Sequence, residues 1–113
     1  MSWTRVCALS ELADETPVGV RVDGEPVCVV RSAADVYALR DQCSHADVML
    51  SHGEVEGGLI ECWLHGAQFL LETGDPMSLP ASTPVATYAI DVRGDDVFVD
   101  VTRRRAAAPA AAS

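Results

Sequence analysis

The chain has no lysine; its eight basic side chains are all arginine. Lysine codons are AT-rich, so this absence points to a GC-rich genome and carries no mechanism. Aromatic residues are scarce, two each of Trp, Tyr and Phe, which leaves Val, Leu, Ile and Ala to fill a core. At 113 residues that core is a modest one within a single domain. No apolar run approaches the roughly 20 residues that a bilayer span requires. The opening MSWTRVCALSEL has acidic residues close behind it and no charged start leading into an apolar stretch. It is therefore not expected to be a secretory signal, and a cytoplasmic protein is expected. Seventeen acidic residues set against the arginines give a formal charge of -9. Such a charge repels phosphate backbones and argues against nucleic acid as a partner, while suiting a protein that meets basic patches. Only four cysteines are present, and in a cytosolic chain these are expected as ligands or buried thiols rather than disulfides.

What is present reads as all-β. Short β-branched runs (VGVRV, VCVVR, VYAL) are separated by the turn-forming stretches DGEP and SAAD. Asp23-Gly24 supplies a hairpin signal because such turns need positive φ. ATYAIDV, the turn RGDD and VFVDV form a second pair, with Tyr88, Ile90 and Val92 on one face and Val97, Val99 and Val101 alternating in the strand opposite. Only LSELADE has the makings of a helical turn. Cys7 and Cys28 fall in the strand-like stretches TRVCAL and PVCVVR, where small buried hydrophobes are expected. Between Arg40 and Val85 the runs shorten and glycines and prolines break them into loops, a loop-rich insertion on a β scaffold. From Arg103 the chain ends RRRAAAPAAAS, a low-complexity tail with nothing to bury.

The loop-rich insertion holds two mixed pairs, Cys43 with His45 and Cys62 with His65. Tetrahedral zinc sites commonly draw two thiolates from one loop and two imidazoles from another element, and one zinc on all four side chains is the competing reading. A two-iron, two-sulfide cluster accounts for the mixing. Each loop sends its cysteine to one iron and its histidine to the other, leaving one iron with two thiolates and its neighbour with two imidazoles. CSH, sixteen intervening residues and CWLHG resemble the Rieske pattern C-x-H…C-x-x-H-G. The resemblance continues through LSHGEVEGGLIEC, HGAQFLLETGDP and YAIDVRGDDVFVDV, essentially residues 3 to 101, at the size of a stand-alone Rieske ferredoxin.

This resemblance implies a Rieske fold, an antiparallel β-sandwich or barrel-like base with a loop-rich cluster-binding subdomain. The domain is expected over 1–102, the cluster subdomain at about 41–84, and a disordered tail over 103–113. One [2Fe-2S] cluster on Cys43, His45, Cys62 and His65 is implied, the imidazoles near the surface as the exit for the electron. His52 is expected in solvent, Gly66 to let the backbone pass close to the cluster, Pro80 to sit in a loop covering it, and Trp63 to shield it. Respiratory Rieske subunits carry a membrane anchor and two further cysteines that tie the cluster loops; the matching positions here are Val48 and Leu64. High-potential relatives place serine and tyrosine hydroxyls near the cluster sulfurs, where this chain has Ala67 and Phe69. Oxygenase large subunits add a mononuclear iron domain for which there is no room. The implied function is a non-catalytic, monomeric one-electron carrier between a flavin-dependent reductase and a terminal oxygenase or other acceptor. An accessory protein of iron–sulfur assembly and a redox or iron sensor are the alternatives that share the fold.

Overall fold

Strand β3 (Glu25–Ser32) contains an unbroken buried run, Val27 to Val30, in place of the alternation of a half-exposed strand. The reason is that both of its faces are covered. Val27 and Val29 enter one apolar core, and Cys28 and Val30 enter another. Strand β4 (Asp35–Arg40) divides in the same way, Val36 and Ala38 to the first core, Tyr37 and Leu39 to the second. The period of two in side-chain direction makes these strands the wall between two compartments.

The computed structural model describes residues 3–33, 35–43, 48–64, 66–77 and 83–105. Two three-stranded antiparallel sheets enclose the first core. One is formed by β2 (Val18–Val22), β3 and β4 in that order; the other runs β1 (Thr4–Ala8), β9 (Asp96–Arg104), β8 (Tyr88–Arg93). They join where Leu39 bridges to Thr87 and the Arg40 N–H donates to the Ala86 carbonyl at 2.9 Å. Val22, Leu12, Tyr88, Val97 and Val99 complete the packing between them. The expected hairpin at Asp23-Gly24 is present, with φ of 52° and 81° and Val22 opposite Glu25. Ile90 packs against the first core, whereas Val92 is exposed. LSELADE forms only a 3-10 turn, Leu9–Glu11.

Within the loop-rich stretch, residues 54–56, 59–61 and 68–70 form regular structure that their composition does not suggest. A third antiparallel sheet, β5 (Glu54–Glu56), β6 (Leu59–Glu61) and β7 (Gln68–Leu70), turns Val55, Ile60 and Phe69 into the second core. Glu54 and Glu61 face each other across its outer side, with Glu56 beside them. At the C-terminus β9 runs on to Arg104, beyond the expected boundary at 102, and Arg105 is held as well. Its Nη1 donates to the Val36 carbonyl at 3.0 Å and its guanidinium lies 4.5 Å from the centre of the Tyr37 ring. Residues 106–113 of the expected tail lie outside the described residues.

Candidate metal centre

Cys43 and Cys62 open two loops that close in the same way. The Cys43 N–H donates to the Val48 carbonyl at 2.9 Å, and the Cys62 N–H donates to the Ala67 carbonyl at 2.7 Å. In each case the acceptor stands five residues along the chain, so each loop is pinned at its base by the backbone of its own cysteine. The first follows β4 and leads to a 3-10 turn at Leu50–His52; the second links β6 to β7. A further bond, from the Gly66 N–H to the Cys62 carbonyl at 3.0 Å, tightens the second loop. Gly66 has φ of 74°, which a side chain disfavours, and an added Cβ would meet nothing within 4 Å among the described residues beyond its chain neighbours. Backbone conformation, rather than close protein packing, explains glycine there.

Both thiols are buried, at 2% and 0% exposure, and both belong to the second core with Leu50, Ile60, Ala67 and Phe69. Neither forms a disulfide. The sequence-expected partners His45 and His65 fall inside the two closed loops by chain position, and both lie outside the described residues, as does Pro80. Two buried thiols at the bases of two matching loops, each loop carrying one histidine, suit a two-iron cluster gripped from both sides and its need for soft thiolate donors.

The remaining cysteines behave as expected. Cys28 is fully buried in the second core, and burial, reinforced by the Asp41 carboxylate, pushes its thiol above the ordinary range. Cys7 packs partly against the first core, and burial raises its thiol too. His52 ends its 3-10 turn in solvent. Trp63 stands on the turn between Cys62 and Gly66 and is 54% exposed. Leu64 beside it, Met49 after the first loop and Met77 after β7 are also exposed large apolar side chains among the described residues of this half of the chain. Val48 packs against the second core and Leu64 is exposed; neither position is a cysteine and all four cysteines are free, so no disulfide ties the loops.

Sequence reasoning did not single out Asp41. This carboxylate is 3% exposed and accepts two hydrogen bonds from Ser51, from its N–H at 2.7 Å and from its hydroxyl at 2.6 Å. The signal was an acidic residue two places before the first ligand and a serine just past the same loop, in DQCSHADVMLS. Among the described residues no helix is long and apolar enough to cross a membrane.

Comparison with known proteins agrees with this geometry. Residues 2–89 match the Rieske [2Fe-2S] domain. The ferredoxin component of biphenyl 2,3-dioxygenase from Rhodococcus jostii (strain RHA1) is 38% identical over 101 residues, 89% of this chain and 94% of that protein. The ferredoxin of carbazole 1,9a-dioxygenase from Nocardioides aromaticivorans IC177 superposes with a TM-score of 0.85 at 38% identity, covering 88% of this chain and 97% of that one. A ferredoxin solved as the complex of reduced oxygenase and oxidised ferredoxin in carbazole 1,9a-dioxygenase matches at a TM-score of 0.85 and 34% identity, over 93% of this chain and 97% of the other. The chain belongs to the Rieske [2Fe-2S] family and is a ferredoxin-type electron carrier, not itself an enzyme, whose cofactor is one two-iron, two-sulfide cluster.

Proposed function

We propose that Cys43 and Cys62 bind one iron and His45 and His65 the other, and that the chain passes single electrons from a flavin-dependent reductase to a terminal oxygenase in the cytoplasm. The observation that carries the ligand set is the matching closure of the two loops over thiols buried in one apolar core. When bound, the cluster supplies a one-electron couple. The protein's part is to hold the two loops at fixed spacing, to exclude water from the thiolate side and to offer the histidine side to a partner. Functionally the chain is one domain that runs through the end of β9 to Arg105, with the cluster unit at about 41–84; it acts as a monomer.

The oxygenase is supported as acceptor by the dioxygenase ferredoxins to which the chain is similar, one of them solved with its oxygenase. The surface is suited to such docking. Trp63, Leu64, Met49 and Met77 provide exposed apolar contacts on or next to the cluster loops, while Glu54, Glu56 and Glu61 give the neighbouring sheet an acidic outer side. Apolar centre and charged surround is the usual anatomy of a specific but reversible interface.

Cys43→Ser and Cys62→Ser should each abolish the brown chromophore and the reduced-state paramagnetic signal. Cys7→Ser, Cys28→Ser and His52→Ala should keep both. One tightly bound zinc and no labile sulfide, in protein made with ample iron, would overturn the ligand assignment. For the carrier role, a reductase and an aromatic-ring oxygenase encoded beside this gene should turn over only when this protein is added. A fully loaded protein that supports no turnover would favour the assembly accessory instead.

A further inference from the structure

Asp41 and Ser51 stand on either side of the first ligand loop. Asp41 ends the link from β4 and lies two residues before Cys43; Ser51 lies in the 3-10 turn beyond Val48. Both carboxylate oxygens of Asp41 are engaged by the one residue, Oδ1 by the Ser51 N–H and Oδ2 by its hydroxyl. The Asp41 N–H donates to the Pro26 carbonyl at 3.0 Å, fixing the carboxylate to β3. Strand β2 closes the other side: a Cβ on Gly19 would lie 2.9 Å from Asp41 Oδ2 and 2.9 Å from Ser51 Oγ, so only glycine fits there without displacing the pair. Among the described residues no cation pairs with Asp41. The charge therefore sits buried and held by dipoles alone, and its field reaches Cys28 in the same core as both cluster cysteines.

We propose that the Asp41–Ser51 pair is a positioning and potential-setting device, clamping the base of the first ligand loop and holding a buried negative charge beside the cluster. The proposal rests on the ligand assignment above. Reduction adds one negative charge to the cluster, so a fixed negative charge nearby opposes it. Two residues of chain keep the Asp41 and Cys43 Cα atoms within about 7 Å. At an effective dielectric of about 20 and a separation on the order of 10 Å, one charge shifts a one-electron equilibrium roughly tenfold. The Ser51 hydroxyl partly offsets that field by donating to the carboxylate.

The test is the midpoint potential of loaded protein by film voltammetry, with the reduced-state paramagnetic spectrum taken alongside. Asp41→Asn, which keeps the shape and removes the charge, should shift the equilibrium about tenfold towards the reduced form, ~59 mV upward for one electron. Ser51→Ala, which keeps the charge and removes a donor, should shift it the opposite way by less than threefold. A purely structural clamp would loosen the loop in both variants, broadening both spectra and moving both potentials in the same direction, and that result would overturn the proposal. Voltammetry reads only cluster-bearing molecules, so partial loading of Asp41→Asn does not obscure its potential. Were that variant to take up no cluster at all, a rise in the potential of Ser51→Ala would still refute the assignment. Cys43→Ser is the control for the underlying ligand reading: retention of a normal cluster there means that the ligand assignment has failed, independently of the clamp.

Discussion

At the scale of single residues, the reduction potential is set by which side chains surround the thiolates. Ala67 and Phe69 are both fully buried in the core that holds Cys43 and Cys62, and neither offers a hydroxyl. Hydrogen bonds to cluster sulfur disperse the charge that reduction adds, and their absence favours the oxidised form. Taking about 1–1.5 kcal/mol for each missing donor and 59 mV per tenfold change, two absent hydroxyls lower the potential by roughly 100 mV. The midpoint is expected near the low end of the Rieske range, around -150 mV. Ala67→Ser and Phe69→Tyr should each raise it by tens of millivolts, and together by more, measured by film voltammetry. A wild-type midpoint well above zero would show that backbone donors compensate. These positions were legible in the sequence because a short motif fixes them. Asp41 was not, because its role depends on a serine ten places on and on a glycine in β2, a conjunction that only folding creates.

At the scale of elements, the strands of the base were legible because each has the period expected of its exposure. β3 stands apart: its run of buried residues shows that both faces are covered but not by what, and the second core that covers one of them is built from residues 43 to 85. The third sheet was read as loops for a physical reason. Its strands are three residues long, too short to show a period, and glycines flank them. One of those glycines holds the sheet together. A Cβ on Gly53 would come within 1.8 Å of the Glu61 carbonyl oxygen, a backbone atom that cannot swing aside. Gly53→Ala should therefore force β5 from β6 and cost about 1–3 kcal/mol, as overpacking of a tight contact does. Denaturant unfolding of the loaded protein measures it. The cluster spectrum should broaden as well, since β6 leads directly into Cys62; an unchanged melt would mean that the strands separate without penalty.

At the scale of the whole molecule, the charge of -9 should steer encounter with a basic reductase, while the exposed apolar side chains around the ligand loops should govern how long the complex lasts. Reductase-driven electron transfer should slow as salt rises and the Debye length falls from about 10 Å at 0.1 M to about 3 Å at 1 M. Trp63→Ala should weaken apparent affinity at every salt concentration and leave the midpoint potential unchanged. A flat salt profile would assign the acidic surface to solubility alone. The wall made by β3 and β4 has a wider consequence. Because its two faces serve the two cores, the cluster half and the base half cannot melt independently, and calorimetry should record one transition rather than two. Leu39→Ala, cut into that wall, should lower stability by about 2–5 kcal/mol and hasten cluster loss in the same step. By mass action, whatever binds the native state alone raises the stability of all of it. A cell short of iron then holds a chain that opens more often along its entire length and meets its proteases sooner. Pulse-chase decay should accordingly quicken under iron starvation, making the lifetime of the carrier a readout of cofactor supply.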